Sequence, residues 1–84
     1  MRIAVIEDNK TLANGIAHQL RDQGHAVDVL SDGEMGAMFL RQEQADIVIL
    51  DINLPGVSGL KILQEIRQRG DATPGILLTA RGDT

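Results

Sequence analysis

Asp46-Ile-Val-Ile-Leu-Asp51 runs four apolar residues without interruption between two aspartates, and Ile52-Asn53-Leu54-Pro55-Gly56 then turns the chain. An apolar run of this length, rich in β-branched residues and closed by a Pro-Gly turn signal, predicts a strand buried on both faces. Asp51 then stands at the carboxyl end of a central strand, which in an open α/β sheet is where ligands bind. It is the candidate centre of the chemistry.

Upstream, Ile3 to Ile6 is a second short apolar run, and it ends in Glu7-Asp8-Asn9. From Lys10 onward, Leu12, Ile16, Ala17 and Leu20 recur at helical spacing, with Asp8 or Asn9 as the cap and Gly24 as the stop. Ala26 to Leu30 predicts another strand, and Asp28 within it points to a sheet edge. Asp32-Gly33 opens a second helix through about Gln44, with Met35, Met38, Phe39 and Ala45 as its buried stripe. Gly36 inside that helix costs about 1 kcal/mol relative to alanine. Downstream of Asp51, Ser58 caps a third helix with Leu60, Leu63 and Ile66 on one face. Arg67 and Arg69 suit the negative end of its dipole, and Gly70 closes it. Thr73-Pro74 leads into a last strand, Ile76 to Ala80.

The alternation βαβαβαβ predicts a parallel sheet with helices on its faces. Right-handed crossovers constrain those faces. If strands 2 and 3 flank strand 1, helix 1 packs on one face and helices 2 and 3 on the other. The strand order then reverses between strands 1 and 3, and both end in carboxylates.

The bulk numbers agree with one small α/β domain. There are 84 residues, 43% of them hydrophobic, with one Phe and no Trp or Tyr, so the core must be aliphatic. A net charge of −4 argues against this segment gripping nucleic acid. Without cysteine there is no disulfide and no thiolate metal site. The N-terminus meets acid too soon for a signal peptide, and no apolar run approaches a membrane span.

Glu7, Asp8 and Asp51 should therefore converge. Three like charges a few ångströms apart raise at least one pKa unless a cation joins them. Oxygen ligands without His or Cys favour a hard, partly hydrated ion, and Mg²⁺ fits best. A carboxylate beside such an ion can attack a phosphoryl group. Any one of these acids alone reads as a cap or a turn residue; together they read as a site. His18 and His25 read as surface residues, and Asp28, Glu43 and Glu65 as solvated faces. Gly56-Val-Ser-Gly59 lacks the lysine of a Walker loop.

These marks, in order, resemble the receiver domain of two-component response regulators: Glu7-Asp8, then Asp51, Leu54-Pro55-Gly56 and Gly59, then Pro74 and Leu78-Thr79-Ala80-Arg81. The resemblance spans the chain. It implies a doubly wound, flavodoxin-like parallel sheet of order 2-1-3-4. By position it implies Asp51 as the acceptor of phosphate from a sensor histidine kinase. Asp8, Asp51 and the backbone carbonyl of Asn53 become ligands of Mg²⁺, with Glu7 acting through water. Thr79 becomes the switch hydroxyl, and Asn53 and Arg81 border the phosphoryl group. The ending Leu-Thr-Ala-Arg resembles the subfamily whose receivers precede a winged-helix DNA-binding domain, which implies a cytoplasmic transcriptional regulator.

Departures from the family pattern matter too. The lysine expected after a fifth strand is absent, since Lys10 and Lys61 are not placed for that role. Strand 5, helices 4 and 5 and an effector domain are also absent, so residues 1–84 are expected to be the N-terminal part of one receiver domain. Strand 4 is then an uncovered edge, and self-association is expected. Two rival functions stand beside phosphoacceptance. A phosphohydrolase using Asp51 as nucleophile would want an acid two residues on, where this chain has Asn53. A phosphate-independent interaction module would tolerate the missing lysine.

Overall fold

The computed structural model describes residues 1–78. Its elements are β1 (Arg2–Ile6), α1 (Lys10–Asp22), β2 (Ala26–Leu30), α2 (Gly33–Gln42), β3 (Ile47–Asp51), α3 (Gly59–Gln68) and β4 (Gly75–Leu78). The strands form one sheet of order β2-β1-β3-β4, with every pairing parallel. The expected order holds, and β2 carries Asp28 on an edge.

Alternation along the central strands builds two cores. Ala4, Ile6, Val48 and Leu50 face α2 and α3, meeting Ala37, Leu40, Ile62 and Ile66. Ile3, Val5 and Val27 face α1, meeting Ala13 and Ala17. Among the described residues α1 is the one helix on its face, opposite α2 and α3, as right-handed crossovers require of this strand order.

Helices α1 and α2 present their small residues to the sheet, which corrects the expected faces. In α2 the buried positions are Gly33, Gly36, Ala37 and Leu40, while Met35 and Met38 lie outside at 48% and 56% exposure. Phe39 and Ala45 pack on the core as expected, but the two methionines do not: methionine reads as core by hydrophobicity, whereas glycine and alanine let the helix axis come this close to the strands. In α1 the expected Ala17 is buried, joined by Ala13 while Leu12 is exposed; in α3 the expected Ile66 is buried and Leu63 packs on the core, but Ile62 lies inward where Leu60 was expected. Helix α2 ends at Gln42 rather than Gln44.

The expected caps form. The side chains of Asn9, Asp32 and Ser58 accept the backbone N–H of Leu12, Met35 and Lys61 at 3.1, 2.8 and 3.2 Å. At the end of the sheet away from Asp51, Arg2 binds Asp28 at 3.1 Å and Glu43 at 3.0 Å and lies over the Phe39 ring. Arg41 clasps both oxygens of Glu65, and Arg69 donates to the Leu40 carbonyl, tying α3 to α2. Asp28, Glu43 and Glu65 are therefore partly exposed ion-pair partners rather than free solvated groups, a class of contact that adds little individually. His25 is half-buried, and its Nδ1 is buried without a hydrogen-bond partner among the described residues.

Candidate functional site

Parallel strands deliver their carboxyl ends to one rim of the sheet, and the two central strands both end in acid there. Register puts Ile6 beside Leu50, so the residues that follow, Glu7 and Asp51, stand side by side at the rim, Asp51 as the last residue of β3. Glu7 and Asp51 are buried, at 3% and 6% exposure, and Asp8 is exposed. One carboxylate oxygen from each of the three lies within 4.8 Å of the others. The convergence expected of the sequence is present.

Backbone donors hold the acids in place. The Asn9 N–H donates to Glu7 Oε2 at 3.1 Å, and the Asn53 N–H donates to Asp51 Oδ1 at 2.9 Å. Because Asn9 takes the capping role, Asp8 is left free to face the cavity. Burial pushes the Glu7 carboxyl above its ordinary value, the Asn9 N–H opposes that, and the neighbouring Asp51 and Asp8 add to the rise. Among the described residues no lysine or arginine pairs with any of the three acids.

The acids floor a cavity of about 450 Å³ that also takes in Asn9 and Asn53, with Leu12 and Leu78 as apolar walls. Such an oxygen-only set, converging within one ion's reach, suits a hard cation that keeps some of its water. Asn53 stands at the cavity as expected, while Thr79 and Arg81 lie outside the described residues.

Three contributions were not read from the sequence. Leu12 looked like core and instead walls the cavity. Asn9 orients Glu7 as well as capping α1. Gly59 lets α3 start directly against Asp51: a Cβ there would fall on the Asp51 carbonyl oxygen. Of these, only the polar Asn9 beside two acids offered a sequence signal.

Comparison with known proteins agrees with this geometry. The family model for the response regulator receiver domain matches residues 3–84. The transcriptional regulatory protein DltR of Streptococcus agalactiae is 43% identical over 84 residues, which is 100% of this chain and 38% of DltR. The two-component response regulator PhoP of Pseudomonas aeruginosa is 36% identical over 83 residues, covering 99% of this chain and 37% of PhoP. The chain thus spans under two-fifths of the length of these relatives. Among solved structures, the response regulator TrrA from Thermotoga maritima, in complex with Mg²⁺ and BeF, superposes with a TM-score of 0.89 at 34% identity. That match covers 96% of this chain and 70% of TrrA. A Francisella response regulator receiver domain gives a TM-score of 0.91 at 25% identity, covering 99% of this chain and 69% of that one. From strand order to acidic rim to sequence match, the chain belongs to the response regulator receiver domain family.

Proposed function

We propose that this chain is a phosphoacceptor in a phosphorelay, with Asp51 as the residue modified. The observation that carries the reading is the meeting of Glu7, Asp8 and Asp51 at the ends of β1 and β3. In the proposed step, an Asp51 carboxylate oxygen attacks the phosphorus of a phosphohistidine on a sensor histidine kinase. The phosphorus–nitrogen bond breaks, an acyl phosphate forms, and the imidazole leaves and picks up a proton. Asp8, Asp51 and the carbonyl of Asn53 would hold Mg²⁺, with Glu7 acting through a water. The ion supplies charge neutralisation for the phosphoryl oxygens. The complex of TrrA with Mg²⁺ and BeF supports that choice of ion. The chain's own part is to hold Asp51 by the Asn53 N–H, so that one oxygen is oriented before reaction.

Thr79 is the proposed switch hydroxyl, and a local charge event at Asp51 would bias its position. Relatives named as transcriptional regulatory proteins support an output in transcription; the proposed route is a separate DNA-binding effector domain, in the cytoplasm. Among the described residues no helix is long and apolar enough to cross a membrane. The site acts as a regulatory acceptor rather than a turnover enzyme: residue 53 is Asn, so the general acid that an alcohol leaving group needs is missing.

Incubation with a small phosphodonor and Mg²⁺ tests the proposal. The expected result is one hydroxylamine-sensitive label at Asp51, as an acyl phosphate requires. Continuous turnover of a phosphoester would point to the hydrolase, and absence of label in the complete gene product to a phosphate-independent module.

We also infer that the 84-residue chain on its own self-associates. Strand β4 pairs only with β3 among the described residues, and its Ile76 is 51% exposed. An apolar strand edge of this kind templates pairing with another chain. Size-exclusion chromatography with light scattering is expected to show concentration-dependent association; a monodisperse, cooperatively folding monomer would sink the idea.

A further inference from the structure

The loop that carries Asn53 leans on the first turn of α2. The Gly33 N–H donates to the Pro55 carbonyl at 3.4 Å, and a Cβ at Gly33 would fall on the carbonyl oxygen of Val57. Only glycine lets these two backbones meet. One residue on, a Cβ at Gly56 would stand 3.3 Å from Glu34 Oε1, and Gly56 itself has a φ of 82°. Leu54 and Val57 pack on the α2–α3 core from the same side. Toward the β3 end of the loop, the Asn53 N–H donates to Asp51 Oδ1 and the Gly59 N–H to the Ile52 carbonyl at 3.1 Å. Behind Gly33, the Asp32 carboxylate caps α2 through the Met35 N–H. An unbroken series of contacts therefore runs from the cap of α2 to the acidic rim.

We propose that the first turn of α2, through Gly33, positions the backbone of residues 52–57 and so sets the affinity of the acidic site for its cation. This inference rests on the Mg²⁺ reading above. Gly33 is a positioning residue: it sits behind the loop, and its influence passes through Pro55 and Val57 to Asn53. Outer partners of this kind orient the ligands in front of them, and their loss typically lowers metal affinity by about tenfold or more.

The test is a calorimetric Mg²⁺ titration of the complete gene product, paired with amide hydrogen exchange at Asn53 in metal-free buffer. Gly33→Ala is expected to bind Mg²⁺ at least about tenfold more weakly and to exchange the Asn53 amide faster. Gly15→Ala, where an added methyl meets open space, is expected to match the parent. A second pair works should Gly33→Ala fail to fold. Asp32→Ala and Asp32→Asn remove the same charge, but only asparagine keeps a capping oxygen. Asp32→Ala is expected to bind Mg²⁺ more weakly than Asp32→Asn and to exchange Asn53 faster. A folded Gly33→Ala with parental affinity, or equal affinities for the two Asp32 variants, overturns the positioning role alone. A parent protein that binds no Mg²⁺ overturns the cation reading itself, and this inference with it.

Discussion

Asp51→Asn is expected to reduce phosphodonor labelling of the protein to background while leaving the fold intact. The asparagine oxygen can still accept the Asn53 N–H that Asp51 Oδ1 accepts at 2.9 Å, so the local hydrogen bonding survives. What disappears is the anionic nucleophile and one of three clustered negative charges. Mg²⁺ affinity should fall with that charge. Stability in metal-free buffer should hold or rise, because carboxylates packed this closely repel.

The pH dependence gives the same prediction a second readout. Glu7 carries a raised pKa, chiefly from burial and further from Asp51 and Asp8. A carboxyl raised in the folded state binds more protons folded than unfolded. Metal-free stability therefore falls as pH rises from the ordinary glutamate range through the raised value. Asp51→Asn removes one of the charges behind that rise and should flatten the slope. Thermal midpoints taken across that range without Mg²⁺ check it. Persistent labelling of the variant would remove Asp51 from its assigned role.

Gly36→Ala is expected to destabilise the domain, against the direction helix propensity alone would give. Alanine in a helix interior is favoured over glycine by about 1 kcal/mol. At this position, however, the new methyl would stand 2.6, 2.7 and 2.9 Å from three side-chain atoms of Ile6. Ile6 is 0% exposed at the end of the central strand β1, and its branched side chain has little freedom to yield. Overpacking of this kind costs about 1–3 kcal/mol and sometimes more, so a net loss of up to about 2 kcal/mol remains after the propensity gain of about 1 kcal/mol. For a domain of this size that lowers the thermal midpoint by roughly 4–8 °C per kcal/mol.

A double-mutant cycle separates the clash from any other cause. Ile6→Val removes the Cδ1 that lies nearest the new methyl, so the pair should be more stable than the sum of the single changes predicts. An additive cycle, or a stabilised Gly36→Ala, would show that α2 does not ride as close to β1 as described.

The same glycine marks the boundary of what could be read in advance. In the sequence, Gly36 is only a weak point in a helix. In the fold it is the place where α2 rests on Ile6, and Gly33 and Gly59 do the same against the Asn53 loop and Asp51. Hydrophobic periodicity reports that a helix has a buried side, but not how near the sheet that side sits. Met35, Met38, Leu12 and Leu60 were assigned inward for that reason. In α1 and α2 distance decides the phase: with glycines and alanines inward the helix sits close, and larger residues such as Leu12, Met35 and Met38 are turned to the flanks.

The acidic site was more legible, because it depends on strand ends rather than on packing detail. A parallel sheet sends every carboxyl end to one rim, so acids placed after two apolar runs meet wherever those strands are neighbours. The runs Ile3 to Ile6 and Ile47 to Leu50 and the acids after them could be read directly, and the neighbourhood followed from topology. Element types, the caps Asp32 and Ser58 and the three carboxylates were thus legible in the residues, while the strand order was what the family resemblance implied and the α1 cap stayed open between Asp8 and Asn9. Only the tertiary structure decided which helix faces turn inward, which backbones touch through glycine, and what holds the Asn53 loop from behind. Those contacts join residues distant in the chain, and their strength depends on separations of a few tenths of an ångström that no local pattern encodes.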